Sequence, residues 1–223
     1  MSTHASAPQL PLLREWLGPI ALDEFLAEHL QRTPIAQPGT THGARAFCDW
    51  SVLDEALAAT DPTPDVLVVA RNRLLPIAAP RSYAELRPLF AHGIGLCMRR
   101  AERSHPQLER VASAFRALGE THVQIFATPG GTHGFGWHYD DEDVFLVQTL
   151  GAKEYFFRPN TVAREPATAA SFRKFPRESS PVYSARLVAG DFLYVPARWW
   201  HMALCEQDAL SMSIGVLPTH RCR

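Results

Sequence analysis

The stretch His122-Val123-Gln124-Ile125-Phe126-Ala127 is where the chain changes period. Short β-branched and aromatic runs separated by turn residues follow it. They predict strands over 122–127, 143–150, 153–157, 182–188, 192–195 and 210–216. Upstream the spacing is mostly helical. Residues 22–30 carry an apolar stripe that Pro34 ends, and residues 51–59 form a second short helix. Ser82-Tyr83-Ala84-Glu85 is a capping box opening a helix to about Ala91, with Gly93 as its stop. Residues 106–118 form an amphipathic helix with Pro106 in its first turn and Gly119 just past its end. Two short strands, 65–70 and 94–98, interrupt this part. Helices first and strands after predict an α+β fold whose C-terminal part is an antiparallel sandwich or barrel. Residues 1–120 are expected to be mainly helical with a few strands, and 121–223 to be the β core of one continuous domain. The long stretch 159–181 has few periodic apolar positions and is expected to be a functional loop.

Composition narrows the function classes. The chain has 223 residues, with 22 Lys plus Arg against 23 Asp plus Glu, a formal charge of −1. That balance argues against a nucleic-acid or anionic-membrane partner, which calls for a basic excess. No apolar run reaches the ~18 residues of a membrane span. Residues 1–8 are polar and small, without the apolar core of a secretory signal, so a cytoplasmic location is expected. Cys48, Cys97, Cys205 and Cys222 are scattered and form no CxxC, which favours reduced thiols over a disulfide frame or a zinc site.

Three residues carry the sharpest chemical signal. Gly134-Phe135-Gly136-Trp137-His138-Tyr139-Asp140-Asp141 holds a His-x-Asp pair. In an extended segment His138 and Asp140 share a face. Downstream, Gly190-Asp191 is a tight turn feeding a strand that Pro196 ends, which sets up a loop carrying His201. Two imidazoles and one carboxylate brought together make a facial triad for non-haem Fe(II), with positions left open. Lys153 follows Gly151 one strand later. If its stem packs among apolar neighbours such as Phe145 and Val147, its ammonium needs an anionic partner, which a dicarboxylate cosubstrate would supply. Otherwise it is a solvated edge lysine.

From about Pro11 to Leu217 the chain resembles the JmjC-type, cupin-fold 2-oxoglutarate/Fe(II) oxygenases, and among them the ribosomal-oxygenase branch. The segment from Thr128-Pro129-Gly130-Gly131-Thr132-His133 through Val147-Gln148 carries most of the likeness. The resemblance implies a double-stranded β-helix with the N-terminal helices packed on it. It implies His138, Asp140 and His201 as iron ligands and Lys153 as the residue that binds 2-oxoglutarate. Gln124 and Phe126 stand where the branch often has an Asn-x-Tyr pair. Phe126 has no hydroxyl, so Thr149, Ser211 and Ser213 become candidates for a second donor to the cosubstrate, beside Gln124. The branch's dimerisation and winged-helix regions have no counterpart before Arg223.

The implied activity is hydroxylation of a protein or peptide side chain, with succinate and CO2 as coproducts. The same chemistry on a free amino acid or natural product is one alternative. A metal-binding cupin without catalysis is another. Trp137, Trp199 and Trp200 flank the ligands and either pack the core or wall a substrate site. Arg198 either meets substrate or lies at the surface. Gln148 is a ligand-supporting residue or an interior sheet residue. His133 is expected to be a loop histidine. Asp141, Glu142 and Asp143 form a solvated acidic turn or an attraction for a basic substrate residue.

Overall fold

The computed structural model describes residues 10–59, 65–161 and 178–218. Most of the stretch 159–181 and Cys222 lie outside the described residues. In chain order the elements begin with α1 (Pro11–Trp16), α2 (Leu22–Glu24) running into a π-helical turn (Phe25–His29), β1 (Ile35–Gln37) and α3 (Trp50–Ala59). Next come β2 (Val66–Ala70), β3 (Arg73–Leu74), α4 (Tyr83–Phe90), β4 (Gly95–Met98) and α5 (Pro106–Phe115). The remainder is β5 (Gly119–Thr128), β6 (Asp143–Leu150), β7 (Ala152–Arg158), β8 (Tyr183–Val188), β9 (Phe192–Val195), β10 (Trp200–Cys205) and β11 (Ala209–Pro218).

The helices form where the sequence calls for them. Ser82 caps α4 by accepting from the Glu85 N–H at 3.2 Å, and the Glu85 carboxylate reaches back to the Arg81 N–H at 2.8 Å. Helix α5 starts on Pro106, and its apolar positions 108, 111, 112 and 115 are all buried on one side. Segment 22–30 departs from a plain helix. Leu30 N–H reaches back five residues to the Phe25 carbonyl, and this wider turn seats Phe25 edge-on to Tyr194, 5.0 Å between centroids.

The strands make two antiparallel sheets. The larger runs β1-β9-β6-β11-β5-β4-β2-β3 and the smaller β10-β7-β8. Their face-to-face arrangement is a double-stranded β-helix, and the fold is α+β with the N-terminal helices on the outer face. Strands from the first 98 residues extend the same large sheet that the C-terminal strands build. Two of them, β1 and β3, are too short to show in the sequence. β10 is a larger difference: a strand stands where Pro196 led us to expect a loop. It forms because its backbone pairs with β7 along its whole length, Trp200 opposite Arg158 and Cys205 opposite Lys153.

The principal core lies between the helices and the outer face of the large sheet. Trp16, Phe115, Phe145, Phe192, Tyr194 and Phe25 form its aromatic centre, all fully buried. Phe115 and Phe145 rings are 5.0 Å apart and Phe145 and Tyr194 4.9 Å. Such pairs contribute roughly 0.5–1.5 kcal/mol each beyond their buried area. A smaller cluster, Val144, Leu146, Tyr155, Phe157, Leu187, Leu193 and Val195, lies between the two sheets.

Candidate metal centre and anion pocket

His201 lies on β10, and its neighbours fix it there. His138 and Asp140 belong to the irregular connection between β5 and β6. That connection is tied to β10 by a reciprocal pair of backbone bonds. His138 N–H donates to the His201 carbonyl at 3.1 Å, and His201 N–H to the His138 carbonyl at 2.8 Å. Arg198 N–H donates to the Asp140 carbonyl at 2.7 Å. Asp140 Oδ2 then stands 3.5 Å from His201 Nε2 and 4.0 Å from His138 Nε2. One donor atom from each of the three residues lies within 4.8 Å of the others.

Hydrogen bonding sets the tautomers. His138 Nδ1 is 2.7 Å from the Gly136 carbonyl and His201 Nδ1 3.0 Å from that of Trp199. A carbonyl only accepts, so each Nδ1 carries the proton. In the neutral ring, Nε2 then turns a lone pair toward the carboxylate. Burial, and then the neighbouring His138, pull the His201 imidazole down to about 4, so it is neutral at pH 7. Two ring nitrogens and one carboxylate, gathered within 4.8 Å, form a site that suits a cation.

The triad opens onto a cavity of about 590 Å³ between the sheets. Lys153 lies elsewhere in its wall, 4% exposed. Its ammonium donates to Ser211 Oγ at 2.8 Å and Thr128 Oγ1 at 3.1 Å. Among the described residues no carboxylate forms an ion pair with it, and burial lowers its pKa. Its packing differs from the sequence expectation. Phe145 and Val147 face the helices, and Val144 and Leu146 line the cavity instead. The ring centroid of Phe126 is 5.9 Å from the ammonium.

The other candidates divide. Gln124 and Ser213 line the cavity, and Ser211 bonds Lys153 directly. Gln124 donates to the Glu142 carboxylate at 3.1 Å. Burial, then Asp140, push that carboxyl up to about 8. The acidic run splits: Asp141 and Glu142 line the cavity, whereas Asp143 is buried behind it and accepts from Tyr194 at 2.6 Å. Thr149 is a correction. Along β6 it is in step with Phe145 and Val147 and turns with them to the helix side; a bulge there sets Ser211 opposite Gln148 and Leu210 opposite Leu150. Its hydroxyl donates to the Leu210 carbonyl at 3.0 Å and also bonds Cys48, and it does not line the cavity. Gln148 is an interior sheet residue, with its amide on the Leu150 and Leu210 carbonyls.

Of its two alternatives, Trp200 takes packing and does not wall a substrate site. Next to His201 on a strand, it points to the opposite face and is 1% exposed, edge-on to Tyr139 at 4.8 Å. Trp137 and Arg198 also lie outside the cavity lining; the Arg198 guanidinium is 5.7 Å from the Tyr139 ring centroid. Sequence reasoning missed Thr128 and Tyr155. Tyr155 lies two residues beyond Lys153 on the same strand face and its hydroxyl bonds Ser211, a neighbour that the two-residue period could have shown. Cys97 and Cys205 also line the cavity as free thiols.

A family model described as JmjC domain matches residues 98–221. The chain is 37% identical over 105 residues to a bifunctional lysine-specific demethylase and histidyl-hydroxylase, NO66, of Dictyostelium discoideum, covering 44% of this chain and 20% of that protein. The NO66 of Drosophila persimilis is 24% identical over 221 residues, covering 91% of this chain and 31% of its own length. The chain thus spans a third or less of these relatives. Among solved structures, YcfD, a ribosomal oxygenase from Escherichia coli in complex with cobalt and 2-oxoglutarate, superposes with a TM-score of 0.61 at 20% identity. That match covers 91% of this chain and 53% of the other.

Proposed function

This chain belongs to the JmjC-domain family, and on that premise we propose that it is an Fe(II)- and 2-oxoglutarate-dependent oxygenase that hydroxylates a protein or peptide side chain. One observation carries the reading. Two imidazole Nε2 atoms and a carboxylate converge on one cavity, and the wall of that cavity also holds a buried ammonium that has no carboxylate partner among the described residues. A structural metal site would close all four positions. Here three protein donors stand on one side, and the cavity lies open on the other. When bound, iron with 2-oxoglutarate supplies oxidation of a C–H bond to an alcohol, with succinate and CO2 as coproducts.

The protein's own part is binding and orientation. His138 and His201 would hold the metal through Nε2 and Asp140 through its carboxylate, the imidazoles kept in that tautomer by the Gly136 and Trp199 carbonyls. Lys153 would hold the distal carboxylate of the cosubstrate, with the Thr128 and Ser211 hydroxyls beside it. Val144, Leu146 and Phe126 give the cavity apolar walls, which would exclude water and strengthen such a pairing. Relatives named for histidyl hydroxylation and for the ribosome support a protein substrate. Among the described residues no helix is long and apolar enough to cross a membrane. We place the protein in the cytoplasm and treat the two halves of the chain as one catalytic domain.

The test is succinate release with Fe(II) and 2-oxoglutarate, together with a search for a +16 Da product in cell-extract proteins and metabolites. The parent is expected to be active and His138→Ala and Lys153→Ala to lose most of that activity. Equal turnover in all three would remove the oxygenase reading. A product confined to metabolites would overturn the protein substrate.

A further inference from the structure

The two histidines of the triad are supported unequally. His201 lies within a paired strand. His138 lies in a connection that has no regular structure between Pro129 and Glu142. Beyond its bridge to β10, that connection is gripped from the N-terminal half of the chain by the two-residue turn between β2 and β3. Asn72 N–H donates to the Gly134 carbonyl at 3.1 Å, and Asn72 Oδ1 accepts from Gly136 N–H at 2.9 Å. The carbonyl of that same Gly136 takes the Nδ1 proton of His138 at 2.7 Å. Asn72 thus holds one end of the peptide unit whose neighbour sets the orientation of His138.

Two features make this contact look selected for its amide. Arg71 and Asn72 both adopt left-handed backbone, φ +48° and +60°. A two-residue turn of this kind favours glycine at its second position. Glycine there would relax the backbone yet offer no side-chain oxygen. Gly136, for its part, leaves room for the amide: a Cβ on it would come within 2.9 Å of Asn72 Nδ2. We propose that Asn72 is a positioning residue for the metal centre, acting through Gly136 to hold His138 with its Nε2 lone pair aimed at the ion. The proposal rests on the reading of His138, Asp140 and His201 as metal ligands, and it concerns a residue 66 positions upstream of His138.

The test uses Co(II) alone, titrated into the metal-free full chain and followed by visible absorption, alongside thermal unfolding of the metal-free protein. Asn72→Gly keeps the backbone bond and removes the amide. It is expected to unfold no lower than the parent and to bind Co(II) about tenfold more weakly, the low end for residues that orient a ligand from behind. Asn72→Asp keeps an acceptor for Gly136 N–H and is expected to bind within about twofold of the parent, well short of that loss. Equal Co(II) affinity in Asn72→Gly and the parent would overturn the positioning role. A lower unfolding temperature in Asn72→Gly with unchanged affinity would make the contact structural and would also overturn it. His138→Ala serves as the control for the underlying reading. Should the parent bind Co(II) no better than His138→Ala, the ligand assignment itself fails, and the role of Asn72 falls with it.

Discussion

The large sheet has two faces built from the same strands, and they do opposite work. On β5, Val123, Ile125 and Ala127 point to the helices and are fully buried, while Gln124, Phe126 and Thr128 line the cavity. On β11, Met212 and Ile214 join the principal core, whereas Ser213 lines the cavity and Ser211 bonds Lys153. One face is continuous apolar packing, where stability is gained by burial. The other carries hydroxyls and an amide and faces the buried Lys153 ammonium of the smaller sheet, groups that cost free energy to bury unless they find partners. A two-residue period lets one strand serve both ends. Stability and chemistry are therefore separable by side-chain parity, and substitutions one residue apart should change different observables.

The sharpest break comes at the triad. Asp140→Ala leaves two imidazoles without a carboxylate and is expected to bring succinate release down to background, with its Co(II) affinity falling in parallel and the fold retained by circular dichroism. On the other face, Phe145→Ala removes a ring in contact with Phe25, Phe115 and Tyr194. It should cost about 3–5 kcal/mol in denaturant unfolding and leave cosubstrate affinity of the folded fraction unchanged.

Lys153→Met crosses the comparison by trading function for stability. Loss of its charge-assisted bonds should weaken 2-oxoglutarate binding by roughly 1.5–3 kcal/mol, read by calorimetry. The same change should raise the unfolding temperature at pH 7, because burial depresses the folded-state pKa of Lys153 below the ordinary 10.5. The unfolded chain then binds more protons in the window between the depressed value and 10.5, so the parent gains stability as pH rises through it. The advantage of Lys153→Met should shrink accordingly toward pH 10.5. The smallest effect is expected at Thr149→Val, which loses the bond to the Leu210 carbonyl. It should cost about 1 kcal/mol of stability and leave cosubstrate binding untouched. A weakening there would mean that Thr149 does not stay on the helix side of β6.

Much of the β architecture is visible in the chain. β6 and β9 fall on the predicted residues 143–150 and 192–195, and β5, β7, β8 and β11 differ from expectation only at their ends. β10 was hidden because Trp200, Met202, Ala203 and Leu204 show no alternation of polar and apolar residues. Its strand conformation comes from pairing with β7. At the site, the spacing of His138 and Asp140 and the Gly190-Asp191 turn ahead of His201 mark the three residues that the fold brings together. Parity errors explain the misses. Thr149 shares the parity of Phe145 and Val147 on β6, so it turns to the helices and not to the cavity. Trp200 takes the packing alternative over the substrate wall, because adjacent strand residues face apart.

The amino-acid order by itself determined which residue types are available and with what period they recur. Those properties depend on local sterics and on how each side chain partitions from water. Only the tertiary structure decided which face of each strand became the cavity, that an irregular loop docks on β10, and that a turn near residue 72 grips the segment carrying His138. Contacts between residues so far apart in the chain depend on sheet register and loop closure, which cooperative packing of the whole domain sets and no local stretch encodes.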